Sequence, residues 1–228
     1  MIRAVFIETY KQTWKQMIYW GIGLASMGLL VVLMVPSLDI QQLVDLLHSL
    51  PPVILGMIGV GSDLEILATP EGFVAMGFFG KMALIFSVYP VVMGMRITAN
   101  DEDSGILDMI LSLPMQRKEM LIGKFLAYTV SIIGVVSMIY IGMWFGVAIS
   151  GIEFDVGILV SVIIMLMPVL VFLLAFTMFI ATLVQRKSVA LGIVTAFVVA
   201  SYILQTVGAM AEGTAAESIG QLSFFTYY

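Results

Sequence analysis

Residues 156–184 read VGILVSVIIMLMPVLVFLLAFTMFIATLV, 29 consecutive positions without a charged side chain. A helix needs about 20 mostly apolar residues to cross the hydrocarbon core of a bilayer, and this run exceeds that. Lipid offers no hydrogen bonds, so backbone groups at that depth must be satisfied within their own segment, which predicts a helix. Pro168 removes one donor from it and is expected to kink it. The flanks carry opposite charge: Glu153 and Asp155 precede the run, and Arg186 and Lys187 come after it. A run of this kind settles the fold class, because no water-facing element is built that way.

To either side, four more stretches meet the same condition. Residues 188–210 and 17–35 are uncharged. Residues 121–149 carry only Lys124, near their start, and residues 73–97 carry Lys81 and, at the end, Arg96. The chain therefore reads as an all-α, polytopic transmembrane bundle with five spans. An outer-membrane barrel would show short alternating segments instead. With 61% hydrophobic and 11% charged residues and a mean hydropathy of +1.10, the chain cannot cover a water-facing surface. The 18 methionines read as flexible filler among packed helices. Without cysteine, no disulfide forms.

The charges are segregated by loop. Arg3, Lys11 and Lys15 precede the first span; Arg96, Arg117, Lys118 and Lys124 border the second loop; Arg186 and Lys187 form the fourth. The other loops hold Asp39, Asp45, Asp63, Glu65, Glu71, Glu153, Asp155, Glu212 and Glu217 and no basic residue. Basic loops stay in the cytoplasm, so the expected topology is a plasma-membrane protein with its N-terminus inside. Residues 1–16 place Val5, Phe6, Tyr10, Trp14 and Met17 on one stripe, with Glu8, Lys11, Gln12 and Lys15 opposite. That pattern predicts an amphipathic helix lying on the inner leaflet. Gly21 and Ala25, with Gly28 near the same face, suit close helix packing, either within the subunit or at a dimer seam. Residues 50–61 are too short and too rich in Pro and Gly to span, and fit a re-entrant or interfacial element. Aromatics at 223–228 suit a membrane interface, and an odd number of spans suggests that a further one exists.

The most informative stretch lies in the second loop, N100-DEDSGILDMILSLPMQRKEMLIGK-124. Asp103 or Ser104 can cap a short helix; Ile106, Leu107, Ile110 and Leu111 line one face of it; Pro114 stops it. A short surface helix with an apolar face, held between two spans, either rests on lipid or docks into a groove of another protein. The stretch resembles the signature of the type 2 ATP-binding-cassette (ABC) transporter permeases: an acid before glycine, an amphipathic helix, Pro-x-x-Arg, then Gly-Lys in the next span. Glu102 or Asp103 supplies the acid, Gly105 the glycine, Pro114 and Arg117 the Pro-x-x-Arg, and Gly123-Lys124 the last pair. Ile106 stands where the family usually has threonine.

The resemblance implies that residues 101–118 carry a coupling helix. Glu102, Gly105, Ile106, Leu107, Ile110, Leu111, Pro114 and Arg117 would face a cleft of a separate ATP-binding subunit. It further implies six spans, of which the last is missing here, a second permease subunit as homo- or heterodimer, and export as the direction of transport. ATP and magnesium would be held by the partner, since no Gly-x-x-x-x-Gly-Lys-Ser/Thr loop occurs and the chain is not expected to be an enzyme by itself. Membrane lipid is an expected partner and nucleic acid is not. The competing class is an accessory membrane subunit or an integral membrane enzyme without a translocation path. Against an enzyme, His48 is the only histidine, no Gly-x-Ser-x-Gly elbow is present, and Asp101-Glu102-Asp103 lacks EF-hand spacing. Lys81 stands out because charges inside a membrane face a bundle interior or an aqueous path. Its long stem could instead snorkel toward Glu71.

Overall fold

The structure is a computed structural model that describes residues 2–38, 40–51, 54, 69–97, 116–184, 186–210 and 220–227. Among these residues there is no strand. The helices are α1 (Ile2–Met34), α2 (Ile40–His48), α3 (Pro70–Val74), α4 (Lys81–Gly94), α5 (Arg117–Ser150), α6 (Val156–Leu183) and α7 (Lys187–Met210). A π-helical stretch, Ala75–Gly80, joins α3 to α4, and single 3₁₀ turns form at Val35–Ser37 and Phe224–Tyr227. Helices α1, α5, α6 and α7 are each long and apolar enough to cross a bilayer. The arms 70–80 and 82–94, bent by 47°, supply a fifth crossing when taken together.

Local chemistry sets the turns. Pro70 sits at the start of α3, and the Thr69 hydroxyl accepts the Gly72 amide at 3.1 Å. Gly151 ends α5 in the left-handed region, φ 66°, which costs glycine little. Four residues later the Asp155 carboxylate caps α6 by accepting the Gly157 amide at 2.7 Å. That pair of signals makes α5 and α6 an antiparallel hairpin.

Helices α1 and α5 run parallel, side by side along most of their length. Their register is read from the glycines: Gly123 faces Val5, Gly134 faces Met17, Gly142 faces Ala25, and Gly146 faces Val32. A methyl group at Gly142 would lie 2.6 Å from the Ala25 carbonyl oxygen, so the two backbones touch. Gly21 lies against Met138 and Gly28 against Met143. The small residues expected to pack closely therefore do so within the chain, against α5.

Residues 2–16, expected as an amphipathic helix on the inner leaflet, run into the first span without a break. They form the first turns of one unbroken helix, Ile2–Met34. At 1.5 Å per residue its 33 residues reach about 50 Å, more than the hydrocarbon core. No proline or glycine stands before Gly21 to break it. Thr9 and Thr13 are buried in the bundle, and Trp14, on the expected apolar stripe, is 44% exposed. The polar positions Glu8, Lys11, Gln12 and Lys15 are exposed as expected.

The remaining helices complete the core. Phe78, Phe79 and Phe86 make an aromatic cluster, with centroids 5.2–5.9 Å apart, in the same core as the buried Val32, Ile139 and Leu173. The close approach of Gly94 to Thr177 and to the Leu174 carbonyl sets α4 against α6. The C-terminal segment 220–227 folds back along α7. There the Ser201 and Ser223 hydroxyls are 3.0 Å apart, Gln205 Nε2 donates to the Phe225 carbonyl, and Phe225 is buried. Phe224 and Phe225 at this end thus pack against rings of α6 and α7.

Candidate functional site

Chain direction brings the charged ends together. Helices α1, α5 and α7 start at one end of the bundle, where α4 and α6 finish. Arg3, Arg96, Arg117, Lys118, Arg186 and Lys187 belong to that basic end. At the opposite end the Glu71 carboxylate accepts the Asp155 amide at 2.8 Å, joining the start of α3 to the α5–α6 turn.

The loop that carries the sequence motif runs from Ile97 to Arg117. Glu102, Gly105, Ile106, Leu107, Ile110, Leu111 and Pro114 lie outside the described residues, and so does most of the Pro-Gly-rich stretch at 50–61. Both ends of the motif loop are described. Arg117 opens α5 and is exposed. Gln116 ahead of it has extended backbone, φ −75° and ψ 136°, and its carbonyl accepts the Glu119 amide at 2.9 Å, closing the first turn. On the other side, Arg96 and Ile97 are helical just beyond α4.

The Gly123-Lys124 pair knots these ends together. Gly123 leaves no room for a side chain: a methyl there would be 3.0 Å from Val5 and 3.2 Å from the Ile2 carbonyl oxygen. The start of α1 is therefore seated directly on α5. Lys124 is only 8% exposed, and its Nζ donates to the Ile97 carbonyl at 3.1 Å. A buried cation is tolerable only when bonded in this way. The sequence marked Lys124 as the single charge of its span; the partner, 27 positions away, carries no residue-type signal.

Lys81 comes directly after the π-helical stretch and sits at the break between the two arms of the bent crossing. A π-helical turn widens the backbone ladder and is a recognised cause of such bends. Two further features had no sequence signal. The buried polar atom Gln16 Oε1 has no hydrogen-bond partner among the described residues. Between α5 and α6 lies a groove of about 300 Å³ lined by Val136, Ser137, Tyr140, Val160, Ile163 and Met167 among others.

These observations define a polytopic helical membrane protein whose basic end presents one loop fixed at both edges. The chain belongs to the ABC-2 family of transporter proteins: the model of that family matches residues 10–224, nearly the whole sequence. It is accordingly a multi-pass membrane subunit of the ABC transporter class. No curated protein and no solved structure gives a significant match.

Proposed function

We propose that this chain is the permease subunit of an ATP-driven exporter and that it works with a separate ATP-binding subunit and a second permease subunit. The observation that carries the reading is the family match over residues 10–224, bounds that enclose the motif and both of its flanking spans. Residues 101–118 form the coupling element, and Ile106, Leu107, Ile110 and Leu111 give it the apolar face that enters the partner's cleft. Glu102, Gly105, Pro114 and Arg117 set its start, its stop and its return. ATP and magnesium stay on the partner, which has to supply the P-loop this chain lacks. The basic end faces the cytoplasm of a plasma membrane, as the segregation of charge supports. Lys81, at the break in the second crossing, borders the substrate path. The scarcity of charge along the spans suits amphipathic or lipid-like cargo.

The test is to isolate the tagged full-length chain from native membranes in mild detergent and assay ATPase activity in the purified material. A P-loop subunit should accompany the wild type and be lost on Leu107→Asp or Ile110→Asp. An intact, folded chain that brings no ATPase would favour an accessory subunit or a membrane enzyme instead.

A further inference from the structure

The motif residues lie between Ile97 and the start of α5, and the Lys124 side chain bridges these two flanks. Lys124 lies seven residues into α5, about 10 Å from its start at a helical rise of 1.5 Å per residue. Its ammonium reaches across to the carbonyl of Ile97, where the second crossing gives way to the loop. Gly123 beside it holds the start of α1 at contact distance. The starts of α1 and α5 and the segment just beyond α4 are therefore fastened at two adjacent residues. A charged hydrogen bond in a water-poor site is stronger than one at a surface, and here it spans the two elements that a moving loop would push on.

We propose that Lys124 is a positioning residue for energy coupling: it clasps the end of the second crossing to the third span, so that displacement of the loop moves both helices, and α1 with them, as one body. This rests on the permease reading above. Without the clasp the loop would still dock on its partner, but its motion would be absorbed by slippage between α4 and α5. A clasp of this kind entails a separation of functions that general destabilisation would not give.

The experiment compares wild type, Lys124→Met and Lys124→Arg, copurified with the ATP-binding subunit and reconstituted in vesicles, reading partner association, ATP turnover and transport per ATP. Lys124→Met should keep the partner and the turnover while transport per ATP falls about tenfold, the scale of losing one charged hydrogen bond. Lys124→Arg, which keeps a cationic donor, should restore most of it. Because the chain has no cysteine, nitroxide pairs at Val92→Cys and Ile122→Cys, both at exposed positions, report the α4–α5 spacing directly. Their distance distribution should be narrow in wild type and Lys124→Arg and broad in Lys124→Met. Unchanged transport per ATP in Lys124→Met, or an unchanged distance distribution, overturns the proposal. If the wild type captures no ATPase, the permease reading fails, while the label distances still decide whether Lys124 fastens the two helices.

Discussion

The α1–α5 seam and the α6–α7 seam solve the same problem in opposite ways. Along α1–α5, six glycines line two parallel helices, and at Gly123, Gly142 and Gly146 the backbone of α1 itself comes into contact, with Gly142 against the Ala25 carbonyl as the tightest approach. Along α6–α7, rings hold antiparallel helices apart: Phe176 and Phe197 have centroids 4.4 Å apart, and Phe224 stacks on Phe197 at 5.5 Å. Lipid tails are as apolar as leucine, so helix association in a membrane rests on close packing rather than on expulsion of water. A glycine seam has one good register and no slack, whereas stacked rings can slide and re-pair at small cost.

Four substitutions put this contrast at risk. The largest effect is expected from Gly142→Val, which drives a branched side chain into the Ala25 backbone. Overpacking costs about 1–3 kcal/mol, and a site walled by backbone belongs at the upper end, so thermal unfolding in detergent should begin well below wild type. Gly21→Ala should be milder, because the group it meets is the end of the flexible Met138 side chain. On the other seam, Phe197→Ala removes two aromatic contacts, each worth about 0.5–1.5 kcal/mol beyond the area it buries, and should leave the α1–α5 spacing unchanged in label-distance measurements. The smallest effect belongs to Ser201→Ala. It removes the hydroxyl that meets Ser223 and accepts the Phe224 amide at 3.1 Å, and membrane hydrogen bonds of this kind average about 0.6 kcal/mol. It should loosen the 220–227 segment, read as faster proteolysis there, with little change in global stability. If Phe197→Ala alters the α1–α5 label distance as much as Gly142→Val does, the distinction between a fixed and an adjustable seam is wrong.

Much of the fold could be read from residue type because lipid imposes so simple a demand. The uncharged run at 156–184 and the helix Val156–Leu183 almost coincide, as do 188–210 and Lys187–Met210. Sequence and structure diverge where a helix continues past a change in hydropathy. Residues 2–16 are polar on one side but no less helical than residues 17–34, so a hydropathy boundary near Met17 is not a structural one. The bend in the second crossing was equally hidden, since Ala75–Gly80 are as apolar as any span and a π-helical turn changes backbone spacing without changing composition. At the candidate site, the motif could be quoted from the sequence, including Gly123 and Lys124, but not the job of that pair. Gly123 is small because Val5 and the Ile2 carbonyl occupy its space, and Lys124 is charged because the Ile97 carbonyl waits beside it. Both reasons lie in distant parts of the chain and leave no periodicity to trace.

If an ATP-binding partner drives this chain through its loop at 101–118, co-purification is the experiment to make first. Tagged wild type and Leu107→Asp would be isolated side by side from native membranes, matched for folded protein by gel filtration, and compared for bound P-loop subunit and ATPase activity. A partner and activity should accompany the wild type, and both should be lost with Leu107→Asp. Equal recovery of the ATPase with both chains, or none with either, would refute the coupling role of the loop.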